Sequence, residues 1–325
     1  MARGLIWAVA LAVVWTSATA AWASFPGRNG RIVYEWTSAN KYVGSPTSIR
    51  TVDPRTGRLR VLRDCPLRTD PPTGYPDCQA SAPRYSPEGA SIALPSVGFA
   101  YPPGEAWQSR PGLTVLSSAG SLLTEHVGAY SYQRLAWSPA GDRFLLQRAT
   151  GPGGLSGESA IFLASLDGTE LSQVTSEGTQ APDWSSTGHI AFSRFRNPCP
   201  PRCSDVYVTR FGGTPRRLTY RGGYGPSWSP HGTKLAFVRG DGRQQDIYLV
   251  RRDGGGLRRL THQGGHSPAW SPDGKWIAFI RQGDVYVVRT DGRHRRHLVD
   301  EVGPDEVDGL GPQVVSVDWQ PLPRR

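Results

Sequence analysis

Lysine is almost missing from this chain. Of 37 basic residues only Lys41, Lys234 and Lys275 are lysines, so arginine carries the net charge of +10. Long apolar runs are missing as well. The run at residues 5–15 falls short of the roughly 20 residues that an ordinary membrane-spanning helix needs. No phosphate loop or dinucleotide-binding unit stands in a context that would support it, so no cofactor is expected. The positive charge comes without a recognised nucleic-acid motif, which excludes nucleic acid as the expected partner. Cysteine is confined to four positions, 65, 78, 199 and 203.

The N-terminus has a charged start at Arg3, a short apolar stretch, and Ala21-Trp22-Ala23 before Ser24. That order reads as a cleavable secretory signal over residues 1–23, with an uncleaved anchor as the alternative. Cleavage leaves residues 24–325 as one domain without a transmembrane span, located outside the cell or in the periplasm. Export favours two disulfides. Local pairing, Cys65 with Cys78 and Cys199 with Cys203, is expected among three possible connectivities, since each pair brackets a proline-rich stretch. Zinc held by Cys199 and Cys203 is the alternative, but no nearby histidine pair would complete it.

A phrase recurs five times: an aromatic, Ser, usually Pro, one residue, Gly, then a β-rich triplet. It begins at Tyr85, Trp137, Trp184, Trp228 and Trp270, the cleanest copy being Trp270-Ser271-Pro272-Asp273-Gly274 with Ile277-Ala278-Phe279. Proline presets the second position of a tight turn and glycine closes it, so the phrase encodes a β-hairpin. A third strand-like run follows, such as Ile247-Tyr248-Leu249-Val250. A glycine turn and a short fourth run, such as Arg259-Leu260-Thr261, end the unit. Four short strands in meander order, repeated at a period of about 40–50 residues, describe propeller blades.

The two ends complete the count. Val317-Asp318-Trp319 looks like a first strand without successors, and Ile32-Val33-Tyr34 like a second strand without a predecessor. Joined, they make a sixth blade. The expected fold is therefore all-β: a six-bladed β-propeller of four-stranded antiparallel blades, closed by the C-terminal strand. Closure also removes open sheet edges. The phrase at Trp270, with Asp246-Ile247-Tyr248-Leu249 and Arg259-Leu260-Thr261, resembles the repeat of TolB-type β-propellers over essentially all of residues 24–325. The drifted copies (Tyr85 for Trp, Ala140 and His231 for Asp, Ser186-Thr187 for Pro-Asp) keep the turn chemistry. TolB carries an extra N-terminal α/β domain that nothing before Arg28 would form. Its partnership with the peptidoglycan-associated lipoprotein is thus not expected to transfer.

Alternation of strand direction places the Ser-Pro-x-Gly turns on one face. Most inserted length falls on the other, at residues 37–47, 65–78, 95–111, 148–159 and 194–204. Long loops on a rigid scaffold carry binding function. Tyr42, Phe99, Tyr101 and Trp107 fall there, either as contact anchors or folded down over their own loops. The same face opens onto the central channel through Gly222-Gly223-Tyr224-Gly225 and Gly264-Gly265-His266-Ser267, with Tyr132, Gln133 and Gln180 at related positions. Arginines recurring in the outer strands, among them Arg217 and Arg259, are read as guards of the blade edge or as attraction to an anionic surface.

No catalytic residue is assigned. Of the histidines, only His266 and His126 could approach the channel, too few for a three-histidine metal site. Gly265-His266-Ser267 leads into a strand and not the helix a nucleophile elbow needs. The expected function is that of a secreted or cell-envelope, non-catalytic propeller, monomeric, binding an envelope protein, a peptide or a cell-wall glycan through the loop-rich face and channel mouth. The alternative is a metal-dependent lyase or hydrolase acting on a polysaccharide at that mouth.

Overall fold

The computed structural model describes residues 25–37, 47–65, 67–69, 72–76, 78–100, 108–127, 130–150, 159–196, 204–241, 244–300 and 313–323. The signal, Tyr42, Tyr101, Trp107, Cys199 and Cys203 lie outside them. The described chain forms six four-stranded antiparallel blades in a ring, the second with its innermost strand in two pieces. The closing blade takes its first strand from Gln313–Leu322 and the rest from Arg28–Thr37, Thr47–Val52 and Leu59–Cys65. Ile32 faces Trp319 and Val33 faces Asp318 across the seam.

Each repeat turn is held by the same two devices. The glycine N–H donates to the serine carbonyl three residues back, at 2.9 Å for Gly89 and 2.8 Å for Gly232 and Gly274. The serine hydroxyl accepts the N–H that starts the next strand, from Lys234 to Ser229 at 3.0 Å and from Trp276 to Ser271 at 2.9 Å. The serine is therefore buried in all five copies. Its constancy in the phrase reflects a backbone donor that would otherwise be unpaired.

Six apolar cores lie between neighbouring blades, one per interface. One joins Val206, Val208 and Leu218 to Trp228, Leu235 and Phe237. Another joins the last full blade to the closing one, packing Ala278, Ile280 and Val287 against Ile32, Tyr34 and Trp319. The repeated aromatics are thus packing residues, with Trp228 only 1% exposed.

Two expectations change. The described residues of 95–111, namely 95–100 and 108–111, are strand: Ser91–Ala100 pairs with Gln108–Ser117 out to Ala100 against Gln108. Phe99 therefore lies on a strand and not in a loop. Cys65 and Cys78 are bonded as expected, with their Cα atoms 5.2 Å apart. The second correction concerns the arginines. Arg217 turns inward to Asp205, Nη2 to Oδ2 at 2.6 Å, and Arg259 pairs with Asp246 in the next blade. Each aspartate also accepts a threonine hydroxyl, from Thr219 or Thr261, at 3.0 Å. Gly222 N–H and Gly264 N–H add a further bond to each at 3.1 Å. These arginines staple the fourth strand to the third, while Arg216 and Arg258, also on fourth strands, stay exposed.

Candidate functional site

The channel is built from the six innermost strands, and its chemistry follows from their register. Counting back from the repeated aromatic, the preceding residue is Ala136, Ser227 or Ala269 in three blades but Arg84, Asp183 or Asp318 in the others. Three before the aromatic, four blades carry a small residue with positive φ and then proline: Ala82, Ala181, Gly225 and Ser267. The third blade has Arg134-Leu135 instead. Charge enters the channel where the repeat ordinarily keeps small side chains.

Two cavities follow the axis. The upper one, toward the face of the blade-to-blade connections, has about 250 Å³ and is lined by Arg84, Arg134, Tyr224, Gln245, His266 and Ser316 among others. The lower one, about 60 Å³, lies among Tyr85, Trp137, Asp183, Trp228, Trp270 and Asp318 near the tight turns. Arg84 and Pro226 border both and form the waist. The glycines leading into the upper cavity are needed for close approach. A Cβ on Gly223 would lie 2.9 Å from the Phe237 ring, and one on Gly265 2.9 Å from Phe279.

Of the sequence-derived mouth residues, the structure brings Tyr224 and His266 together at the upper cavity. Tyr132 does not join them. It is buried in the core between the second and third blades, and burial next to Glu170 pushes its phenol up to about 12. The alternation of its strand turns it inward. Gln133 accepts a bond from Gln147 Nε2 at 2.5 Å, and Gln180 pairs in register with Ser193, so both sit at strand starts beside the channel. Their side chains do not line the upper cavity. His126 packs its ring against Gly168 on the outer strands and does not approach the channel.

The residues missed from sequence are the ionisable ones. Asp183 Oδ2 accepts the Trp228 N–H at 2.6 Å, and Asp318 Oδ2 accepts the Tyr85 N–H at 2.8 Å. Each carboxylate thus ties its blade to a neighbouring one. Burial pushes the Asp183 carboxyl up to about 7, with Asp318 adding and Arg84 opposing. Burial likewise raises Asp318 and Glu35. Glu35 accepts the Ala82 N–H at 2.8 Å and the Ser316 hydroxyl at 3.1 Å. His266 is driven down to about 4 by burial and by the Arg134 charge, so it stays neutral near pH 7.

A carboxyl titrating near 7 in a cleft is the usual signature of acid–base chemistry. Here it borders a lower cavity far smaller than the several hundred Å³ of a substrate pocket. Its oxygen is already used by a blade-to-blade bond. Among the described residues one cluster could hold a metal ion: Asp284, His297 and Asp300. His297 Nε2 lies 3.0 Å from Asp284 Oδ2, on the strands where the two preceding blades place Arg217 with Asp205 and Arg259 with Asp246. The histidine thus takes the place of the repeat's arginine staple. His297→Arg is expected to change stability by no more than about 1 kcal/mol in denaturant titrations. A loss several times larger would mean that His297 does something its arginine counterparts do not.

Residues 121–306 match the family model described as the TolB beta propeller domain. No curated protein sequence matches the chain significantly. Among similar solved structures is TolB from Acinetobacter baumannii, 21% identical with a TM-score of 0.65, covering 90% of this chain and 67% of that one. A TolB structure from Agrobacterium tumefaciens is also 21% identical, with a TM-score of 0.60 over 89% of this chain and 99% of that one. A chain of a nidogen/laminin complex, 11% identical, reaches a TM-score of 0.63 over 91% of this chain and 100% of its own. At such identities the likeness is one of fold.

Proposed function

Because the chain belongs to the TolB beta propeller domain family, we propose that it is an exported, non-catalytic binding module. Its partner is an envelope protein, a peptide or a cell-wall polymer, engaged through the channel mouth and the loop-rich face. The observation that carries this reading is the upper cavity, where Tyr224 and His266 meet over about 250 Å³ of open space. The channel carboxylates beneath it are occupied in joining blades. Export is supported by the Cys65–Cys78 disulfide, a bond that persists in oxidising compartments. A chain of similar fold found in a nidogen/laminin complex is consistent with protein partners.

The test uses immobilised protein and an envelope extract from the source cells. Wild type is expected to retain one protein or polymer selectively. The double variant Tyr224→Ala/His266→Ala should lose it by at least about tenfold, the loss of one good anchor contact. Phe211→Ala, at an exposed position in a tight turn on the opposite face, should retain it. Retention indifferent to the double variant would sink the assignment to the channel mouth. Cleavage of a purified wall polysaccharide by the wild type would replace it with the enzyme reading.

A further inference from the structure

The least accounted-for group in the channel is the Arg134 guanidinium. It stands where the five other blades have a small residue, and it lines the upper cavity. Among the described residues it makes no hydrogen bond and no ion pair. Its nearest charges are Arg84, which repels it, and Glu35, which is committed to the Ala82 N–H and Ser316. The cost of that placement is visible in the depressed pKa of Arg134, caused by burial first and Arg84 second.

Arg84, by contrast, is already engaged. Its Nη1 donates to the Val317 carbonyl at 2.9 Å and lies 3.9 Å from Asp318. His266 adds no charge near neutral pH. The chamber therefore presents one guanidinium, a planar fork of donors, that no hydrogen bond or ion pair occupies, with Glu35 as the one nearby charge that attracts it. Below the waist stand Asp183 and Asp318, whose negative charge opposes an anion that passes beyond Arg84.

We propose that the upper cavity is a monoanion site in which Arg134 receives the carboxylate of a partner's peptide. A guanidinium fork matches a carboxylate bidentately. The space of about 250 Å³ suits one or two residues of a narrow chain. Tyr224, Gln245 and His266 line the way in. An arginine kept unpaired in the free protein is a binding group held at the expense of stability. The proposal rests on the channel-mouth reading given above and names the chemistry recognised there.

The experiment titrates the full chain with N-acetyl-glycylglycine, its C-terminal amide, and inorganic phosphate at matched ionic strength, following heat and melting temperature. Wild type is expected to bind the free acid at least about tenfold more tightly than the amide, the contribution of a charge-assisted pair. Arg134→Met should abolish that preference and, without ligand, melt about 2–4 °C higher, because a half-buried charge without an ion-pair partner has gone. Arg134→Lys should keep a weaker preference, and Arg60→Met, at an exposed position, should change neither readout. Equal binding of acid and amide, or an acid preference that survives Arg134→Met, would overturn the site. So would a lower melting temperature in Arg134→Met, which would make the guanidinium a support of the fold. Tighter binding of phosphate than of the acid would overturn the monoanion assignment. If partner capture still depends on Tyr224 and His266 while wild type ignores the acid, this proposal alone fails.

Discussion

A chain ending at residue 312 is expected not to fold cooperatively. The strand Gln313–Leu322 completes the closing blade and supplies Val314, Val317 and Trp319 to the core against the last full blade. Burying each such side chain is worth about 1.5–3 kcal/mol, and truncating a core tryptophan alone costs about 3–5 kcal/mol. The strand also crosses to the second blade. Gln320 Nε2 donates to the Gly89 carbonyl at 2.8 Å, and Asp318 receives the Tyr85 N–H at 2.8 Å. Without it Arg28–Thr37 becomes an open edge with Ile32 and Tyr34 uncovered, a template for aggregation. These losses together are as large as the roughly 5–15 kcal/mol by which a domain is normally stable. Circular dichroism melts and size-exclusion chromatography read the outcome, and adding the 313–325 peptide in trans should restore a cooperative melt by mass action. A truncated chain melting within a few degrees of wild type would mean that the ring does not depend on its closing strand.

The architecture could be read from sequence because its determinants are local. The turn serine, proline and glycine act within five residues, and an unpaired strand at each end implies its partner. What could not be read lies where local punctuation misleads. Pro95, Gly98, Pro111 and Gly112 look like loop residues, yet they belong to paired strands. Pro95 has no N–H to offer the inner strand, and pairing there is divided between Cys78–Ala80 and Arg84–Tyr85. The site was half legible. Tyr224 and His266 stood out because paired glycines precede both. Arg84, Arg134, Asp183 and Asp318 were hidden among repeat copies that look alike. Their signal was available in register: a charged residue at a position where the other blades keep alanine, serine or glycine. Tyr132 was misplaced for the complementary reason, since proximity to a strand start does not tell which side of the strand a ring takes.

Asp183 and His266 should tilt the stability–pH curve in opposite directions, and single substitutions should separate them. The Asp183 carboxyl rises from 3.8 to about 7 on folding, so the native state holds a proton that the unfolded chain has released. Its contribution is fully present below pH 3.8 and is lost as pH rises through 7, a change of up to about 4 kcal/mol. Asp318 and Glu35 are displaced in the same direction. His266 falls from 6.5 to about 4 on folding, so the unfolded chain takes up a proton that the native state refuses. Stability is therefore lost on this account as pH falls from 6.5 toward 4, by up to about 3 kcal/mol. Between pH 4 and 6.5 the two slopes oppose, and wild type should look flatter than either residue would make it. Asp183→Asn keeps an oxygen for the Trp228 N–H but cannot ionise. It should melt above wild type at pH 7.5. Removing the compensating slope, it should also lose stability more steeply on acidification. His266→Gln should melt above wild type at pH 4.5 and then decline steadily toward pH 7. Because Asp183 and Asp318 feel each other across the channel, the midpoint observed belongs to the pair and not to one carboxyl. Parallel melting curves for both variants from pH 4 to 8 would show that neither group changes protonation on folding. The electrostatic picture of the channel, with its neutral histidine beside an unpaired arginine, would then have to be redrawn.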